Sequence, residues 1–306
     1  MKTRSLVTAL AVAAVTAVAL AGCSGAPGTG GSADGRVRVV TSTNVYGDIA
    51  STIGGDAVDV VSVMADPAQD PHSFEASAQN QLAVSKAAVV VENGGGYDDF
   101  MTALLKTPPR QPRTILNAVR LSGLDSGGEF NEHIWYDFGA MKKVADALVT
   151  ALSAKDPAHA SEFQKNAAAF EAGLQALEAR ASALRAAHAG EGVAITEPVP
   201  LYLLEAIGLE DKTPPAFSHA IEGGTDVSPA VLQQTLDLFS RHEVRLLAYN
   251  EQTSGPETTR VLAAAKAHDV PVVGVTETLP AGKDYLSWMN ANIDALAAAL
   301  GGGKHG

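Results

Sequence analysis

Two histidines and two glutamates are the side chains best placed to do chemistry. His72 stands in Asp70-Pro71-His72-Ser73-Phe74-Glu75, and His133 in Asn131-Glu132-His133-Ile134-Trp135-Tyr136-Asp137. Glu197 lies in Ile195-Thr196-Glu197-Pro198, and Glu277 in Val275-Thr276-Glu277-Thr278-Leu279. Imidazole nitrogen and carboxylate oxygen are donors that a divalent transition ion takes at about 2.0–2.2 Å, three or four at a time. No two of these residues are close in the chain, so spacing alone is a moderate signal. Their worth as ligands depends on elements that carry distant loops to one point.

Each candidate has a plainer reading. Glu197 could cap a following helix, where a carboxylate meets the positive end of the dipole. Glu277 could be a solvated loop residue, with Glu251 and Asp284 as rivals for its place. His219, in Phe217-Ser218-His219-Ala220, reads as a loop residue of the back half and a candidate extra ligand. Asp137 and Glu75 read as supporting or capping carboxylates, and Trp135 as packing beneath the site. His159, His188, His242 and His268 fall on helical faces or ends and read as solvent-facing.

The elements that would position these residues alternate in type. β-branched runs predict strands over 37–42, 57–64, 88–91 and 114–116, with helices over 44–54 (capped by Asn44), 77–87 and 97–105. The back half repeats the alternation, with strands over 193–196, 246–249 and 270–275. Helices are expected there over 201–207, 227–242 (capped by Asp226 or Ser228), 256–268 and 285–300. Such alternation implies parallel sheets covered on both faces. Ligands of open parallel sheets gather beyond the carboxyl ends of the strands, which is where His72, Glu197 and Glu277 fall.

Between the halves, 138–153 is helical, and Asp156-Pro157 restarts a helix with Asp as cap and Pro at its first position. Phe163, Ala167, Phe170, Leu174, Leu177, Ala181 and Leu184 then recur at spacings of four and three. They form one apolar stripe on a helix reaching about residue 187, roughly 45 Å at 1.5 Å per residue. A coiled-coil dimer competes for this stripe. Alanine within it, and globular sequence on both sides, favour a helix laid along its own protein. The expected fold is α/β: two lobes, each a parallel sheet flanked by helices, joined by one long rigid helix, in a monomer.

The length of 306 residues suits two ordinary domains, and 46% hydrophobic content suits sizeable cores. A net charge of −12 argues against nucleic acid, which requires clustered Lys and Arg. The single cysteine, Cys23, allows no disulfide framework and no thiolate metal site. Residues 1–22 carry Lys2 and Arg4, a short apolar run and small residues, the pattern of an export signal. The ending Leu20-Ala21-Gly22-Cys23 resembles the bacterial lipoprotein signal, with Cys23 as lipid attachment point. Residues 23–35 read as a flexible tether, 36–137 as an N-terminal lobe and 138–190 as a connecting helical segment. Residues 191–300 read as a C-terminal lobe and 301–306 as a disordered tail. The folded part is expected on the outer face of the cytoplasmic membrane, anchored by lipid.

The two histidine segments carry a more specific resemblance. Asp70-Pro71-His72-Ser73-Phe74-Glu75 resembles the Asp-Pro-His-x-aromatic-Glu loop of bacterial metal-binding lipoproteins that feed zinc and manganese ABC importers. Asn131 to Asp137 is similar to that family's His-x-Trp-x-Asp segment, and Asp156-Pro157 with its long helix matches the family's connecting helix. The resemblance covers roughly residues 37–300. It implies two α/β lobes on one rigid helix, with the metal buried in the cleft. It also implies His72 and His133 as the first two ligands. Glu197 matches the third, which is His or Glu in the family. Glu277 stands at the fourth, usually Asp, a departure that lengthens the arm by one methylene.

The resemblance makes the bound ion cargo, with no catalytic cofactor. In the family a third-position Glu goes with manganese and His with zinc, and oxygen-rich sets do suit Mn²⁺. The general affinity order nonetheless favours Zn²⁺, so the expected cargo is Mn²⁺ or Zn²⁺. Delivery to an ABC-type permease is implied, with binding that weakens below about pH 6 as the imidazoles protonate. An organic-solute-binding lipoprotein is the alternative, although its cleft would show more aromatics and Arg. A zinc hydrolase needs an open coordination position and a general base, and the chain has no His-Glu-x-x-His or Gly-x-Ser-x-Gly motif. The expectation is therefore a binding protein and not an enzyme.

Overall fold

Valine and threonine build the first sheet. In a computed structural model describing residues 35–66, 74–125 and 130–302, β1 (Val37–Thr43) pairs in parallel with β2 (Val58–Met64) and with β3 (Val89–Glu92). β3 pairs in parallel with β4 (Thr114–Asn117), giving the order β2-β1-β3-β4. Successive side chains of a strand point to opposite faces. Val37 and Val39 therefore enter the main core, while Val40 enters a second one with Val84 and Met101. The helices that cover the sheet are α1 (Asn44–Gly54), α2 (Ala78–Lys86), α3 (Asp99–Leu105) and the short α4 (Ala118–Ser122).

Next come α5 (Phe138–Lys155) and, after a 3-10 turn over Pro157–His159, the 29-residue α6 (Ala160–His188). Asp156 accepts from the Ala158 N–H at 3.2 Å and so caps the restart, as its pairing with Pro157 predicts. The expected stripe from Phe163 to Ala181 is buried in the main core, with Leu184 packed against it. Its partners are elements of the same chain: α1, α5, the later α7 (Leu201–Ile207) and the last helix, α11 (Tyr285–Gly301). The coiled-coil reading is unnecessary.

The second sheet repeats the first. β5 (Gly192–Ile195), β6 (Glu210–Asp211), β7 (Leu247–Asn250) and β8 (Val272–Val275) are all parallel in the order β6-β5-β7-β8. Val193 and Ile195 face the main core, and Ala194 and Leu247 face Phe217 and Phe239 on the other side. α8 (Pro215–Glu222), α9 (Pro229–Ser240) and α10 (Pro256–Ala267) complete this half. Two parallel α/β sheets with a long helix packed on both are thus the architecture expected from the pattern of residues.

Three local readings need correction. Asn44 does not cap α1. Thr43 holds the cap position, and the Asn44 amide instead makes two 2.9 Å hydrogen bonds with the backbone of Leu279, in the other half. Ser228 caps α9, receiving the Val231 N–H, so Asp226 does not. The short elements α4, β6 and α8 were not anticipated. No helix among the described residues is long and apolar enough to cross a membrane. The expected signal peptide, the tether up to residue 34, Cys23, residues 303–306 and His72 lie outside the described residues.

Candidate metal centre

Parallel strands end on the same side of their sheet, and the loops beyond those ends assemble the site. Glu197 lies just beyond β5, Glu277 just beyond β8, and Asn250 is the last residue of β7 between them. The chain order reverses between β5 and β7, the position where open α/β sheets form a binding crevice. Asn250 uses its amide Nδ2 to donate to Glu197 Oε2 and, at 2.8 Å, to Glu277 Oε1. One neutral amide thus holds two carboxylates side by side. Both are buried, at 3% and 1% exposure.

His133 reaches the same point from the first half. It immediately precedes a 3-10 turn over Ile134–Tyr136 and is 0% exposed. Its Nε2 lies 3.3 Å from Glu222 Oε1 and 3.9 Å from Glu277 Oε2. Two donors each about 2.1 Å from one ion stand about 3.0–3.4 Å apart at octahedral or tetrahedral angles, a range that the Glu222 distance meets and the Glu277 distance exceeds by about 0.5 Å.

Supporting residues fix the ring. Asn131 donates to the Pro198 carbonyl at 3.0 Å, which leaves its Oδ1 to accept the His133 N–H at 3.2 Å and the Nδ1–H at 2.7 Å. A proton on Nδ1 makes Nε2, the nitrogen that faces the carboxylates, the one a metal would take. Trp135 and Tyr97 pack on the imidazole, at ring separations of 5.1 and 5.8 Å. Trp135 is therefore packing, as expected. Burial first, and then the charge of Glu277, push the Tyr97 phenol well above its ordinary range, so it stays neutral. Gln252 clamps the last loop, accepting from Glu277 N–H at 2.5 Å and donating to Thr278 Oγ1 at 2.8 Å.

Of the four candidate ligands, the structure brings His133, Glu197 and Glu277 together; the fourth, His72, is not described. Glu197 is no helix cap, because α7 starts from Pro200 without a side-chain cap bond. Glu251 is exposed and lies over Gly274, and Asp284 caps α11 through the Ser287 N–H, so neither competes with Glu277. Asp137 caps α5, receiving the Ala140 N–H at 2.6 Å, and Glu75 is exposed. His159 and His242 are exposed, while His188 and His268 are half-buried.

His219 is not on a loop but on α8, exposed, and it lines a cavity of about 470 Å³ together with Asn131, Glu132 and Glu222. Glu222, the last residue of α8, was missed from the sequence, and so were the roles of Asn131 and Asn250. Their signal is weak. Asparagine next to a candidate ligand is common, and Glu222 is marked only by the Gly223-Gly224 that ends its helix.

Carboxylates this deep demand a counter-charge. Burying an ionised carboxylate costs several kcal/mol unless a cation or proton compensates it. Glu197 and Glu277 are held side by side by an uncharged amide, and the imidazole of His133 turns Nε2 toward them. A dehydrated divalent cation satisfies all of them at once.

Comparison with known proteins points to metal-binding relatives. A sequence profile described as zinc-uptake complex component A, periplasmic (ZnuA), matches residues 39–299. The chain is 23% identical over 316 residues to the metal ABC transporter substrate-binding lipoprotein FimA of Streptococcus parasanguinis, covering 97% of this chain and 99% of that one. It is 25% identical to the zinc-binding lipoprotein AdcA of Streptococcus pneumoniae, covering 94% of this chain and 60% of that one. The solved structure of FpvC from Pseudomonas aeruginosa in complex with Mn²⁺ superposes with a TM-score of 0.71 at 25% identity, covering 87% of this chain and 99% of FpvC.

Proposed function

The chain belongs to the ZnuA family of periplasmic zinc-uptake components, and on that premise we propose that it captures one Mn²⁺ or Zn²⁺ ion between its halves and delivers it to an ABC-type permease. His133, Glu197 and Glu277 are three of its ligands and His72 is the fourth. The observation that carries this reading is the convergence of His133 Nε2, its ring oriented by Asn131, on the buried carboxylates held by Asn250. The ion is cargo. Four protein donors complete the tetrahedral set typical of bound zinc that takes no part in a reaction, whereas catalytic zinc usually keeps three protein ligands and a water.

The same reading places a lipid on Cys23 and the folded part on the outer face of the cytoplasmic membrane as a monomer. The names of the metal ABC transporter lipoproteins it resembles support that placement. The test is elemental analysis of protein purified from its own host in metal-limited medium, beside the His72→Ala/His133→Ala double variant. The wild type should carry about one transition ion per chain and the variant none. Equal metal in the two preparations would overturn the ligand assignment.

A further inference from the structure

We propose that Glu222 is a further ligand of the cargo ion, standing on the solvent side of the site and biasing it toward manganese over zinc. The inference rests on the capture function proposed above and adds a residue that neither the motif nor strand-end logic supplies.

Three observations point to it. The first is distance. Glu222 Oε1 is 3.3 Å from His133 Nε2, closer than Glu277 Oε2 at 3.9 Å, and Glu132, His133 and Glu222 bring donor atoms within 4.8 Å of one another. The second is position in the helix. Glu222 ends α8, where the last carbonyls make the negative pole of the dipole, so a half-buried carboxylate there is disfavoured by its own element. Placing it against other acidic groups adds to that cost. A cation between them removes both penalties.

The third observation is exposure. The Glu222 side chain is 14% exposed, whereas His133 and Glu277 are at 0% and 1%. Glu222 also lines the 470 Å³ cavity, with Asn131, Glu132 and His219, and it is the lining carboxylate that lies 3.3 Å from His133 Nε2. It forms the wall between solvent and the buried donors. An ion arriving through the cavity meets this carboxylate before it meets the imidazole.

Selectivity follows from donor number. Structural Zn²⁺ sites are almost always tetrahedral, while hard divalent ions with octahedral preference take more oxygen donors. Two imidazoles with Glu197 and Glu277 already complete a tetrahedron. A third carboxylate supplies a fifth donor, which Mn²⁺ accepts more readily than Zn²⁺.

The experiment is competition titration of wild type, Glu222→Gln and His133→Ala with Mn²⁺ and Zn²⁺ separately. Loss of an outer-shell residue already costs about 10–100-fold in metal affinity. Loss of a direct oxygen donor should therefore cut manganese affinity at least about tenfold and zinc affinity much less. An unchanged ratio of manganese to zinc affinity in Glu222→Gln would overturn the proposal while leaving capture intact, whereas tight metal binding by His133→Ala would overturn the ligand assignment on which both readings rest. Crystals of manganese-loaded wild type give a test free of any folding defect in the variant. A Glu222 oxygen should lie within about 2.3 Å of the ion; a water in its place would sink the assignment.

Discussion

At the scale of single residues, two asparagines organise the site without touching the ion. Asn131 fixes which imidazole nitrogen faces the carboxylates, and its own orientation is fixed by the Pro198 carbonyl just beyond Glu197. Asn131→Ala should leave the fold intact and lower affinity for Mn²⁺ and Zn²⁺ alike by about 10–100-fold, as loss of an orienting partner does elsewhere. Competition titration reads this directly, and an unchanged affinity would show that packing on Trp135 and Tyr97 orients the ring alone. Asn250 acts on the apo protein. Asn250→Asp replaces the shared donor with another carboxylate, losing hydrogen bonds that cost about 1–3 kcal/mol when buried groups lose their partners. The apo melting temperature should then fall by several degrees, at about 2–4 °C per kcal/mol for a chain of this size, and recover in part with saturating metal. An apo variant as stable as wild type would mean that Glu197 and Glu277 are not both ionised.

At the scale of elements, legibility follows the length of the pattern. α6 was readable because six buried residues recur over eighteen positions, too regular to mistake, and the Asp156-Pro157 signal fixed its start. The best-covered strands, β1, β3 and β5, were readable because nearly all of their positions are buried and most are β-branched or small. α8 was not. It is two turns long, begins at Pro215 after Pro214 with no side-chain cap, and offers only Phe217 and Ile221 as a spaced apolar pair. Losing α8 meant losing Glu222, so the missing ligand candidate is a direct consequence of a missing helix. Pro at the first helical position and Gly after the last were the signals available. The stripe of α6 also supports the site. Phe170 packs on Tyr285, at 5.7 Å between rings, and the Tyr285 hydroxyl donates to the Trp135 carbonyl at 2.6 Å. Phe170→Ala should cost about 3–5 kcal/mol in chemical denaturation, the usual range for an emptied aromatic core position. A cost below 1 kcal/mol would mean that α6 is not a structural spine.

At the scale of the whole molecule, the two halves are bonded to each other at several points besides α6. Asn44 holds the Leu279 backbone, the Tyr136 hydroxyl donates to the Thr276 carbonyl at 2.8 Å, and Asp48 accepts the Tyr285 N–H at 2.8 Å. Burial pushes the phenols of Tyr136 and Tyr285 far above their ordinary range, so both remain neutral donors at any working pH. Hinge closure needs a few backbone residues free to absorb large changes in φ and ψ. Here the long helix contacts helices of both halves, and the ties on either side of the ion would have to break for the lobes to rotate. Metal capture should therefore move loops and α8 rather than lobes. Small-angle scattering of apo and metal-saturated protein tests this, and the radius of gyration should differ by less than about 1 Å on a molecule of this size. The Tyr136→Phe/Tyr285→Phe variant removes two of the bonds that hold the first-half histidine turn in place. It should lose about 1–3 kcal/mol of stability for each buried carbonyl left without its donor, and its metal affinity should fall with it. A large metal-dependent contraction of the wild type would show that these bonds form only in one state, and that the halves close on the ion by rotation.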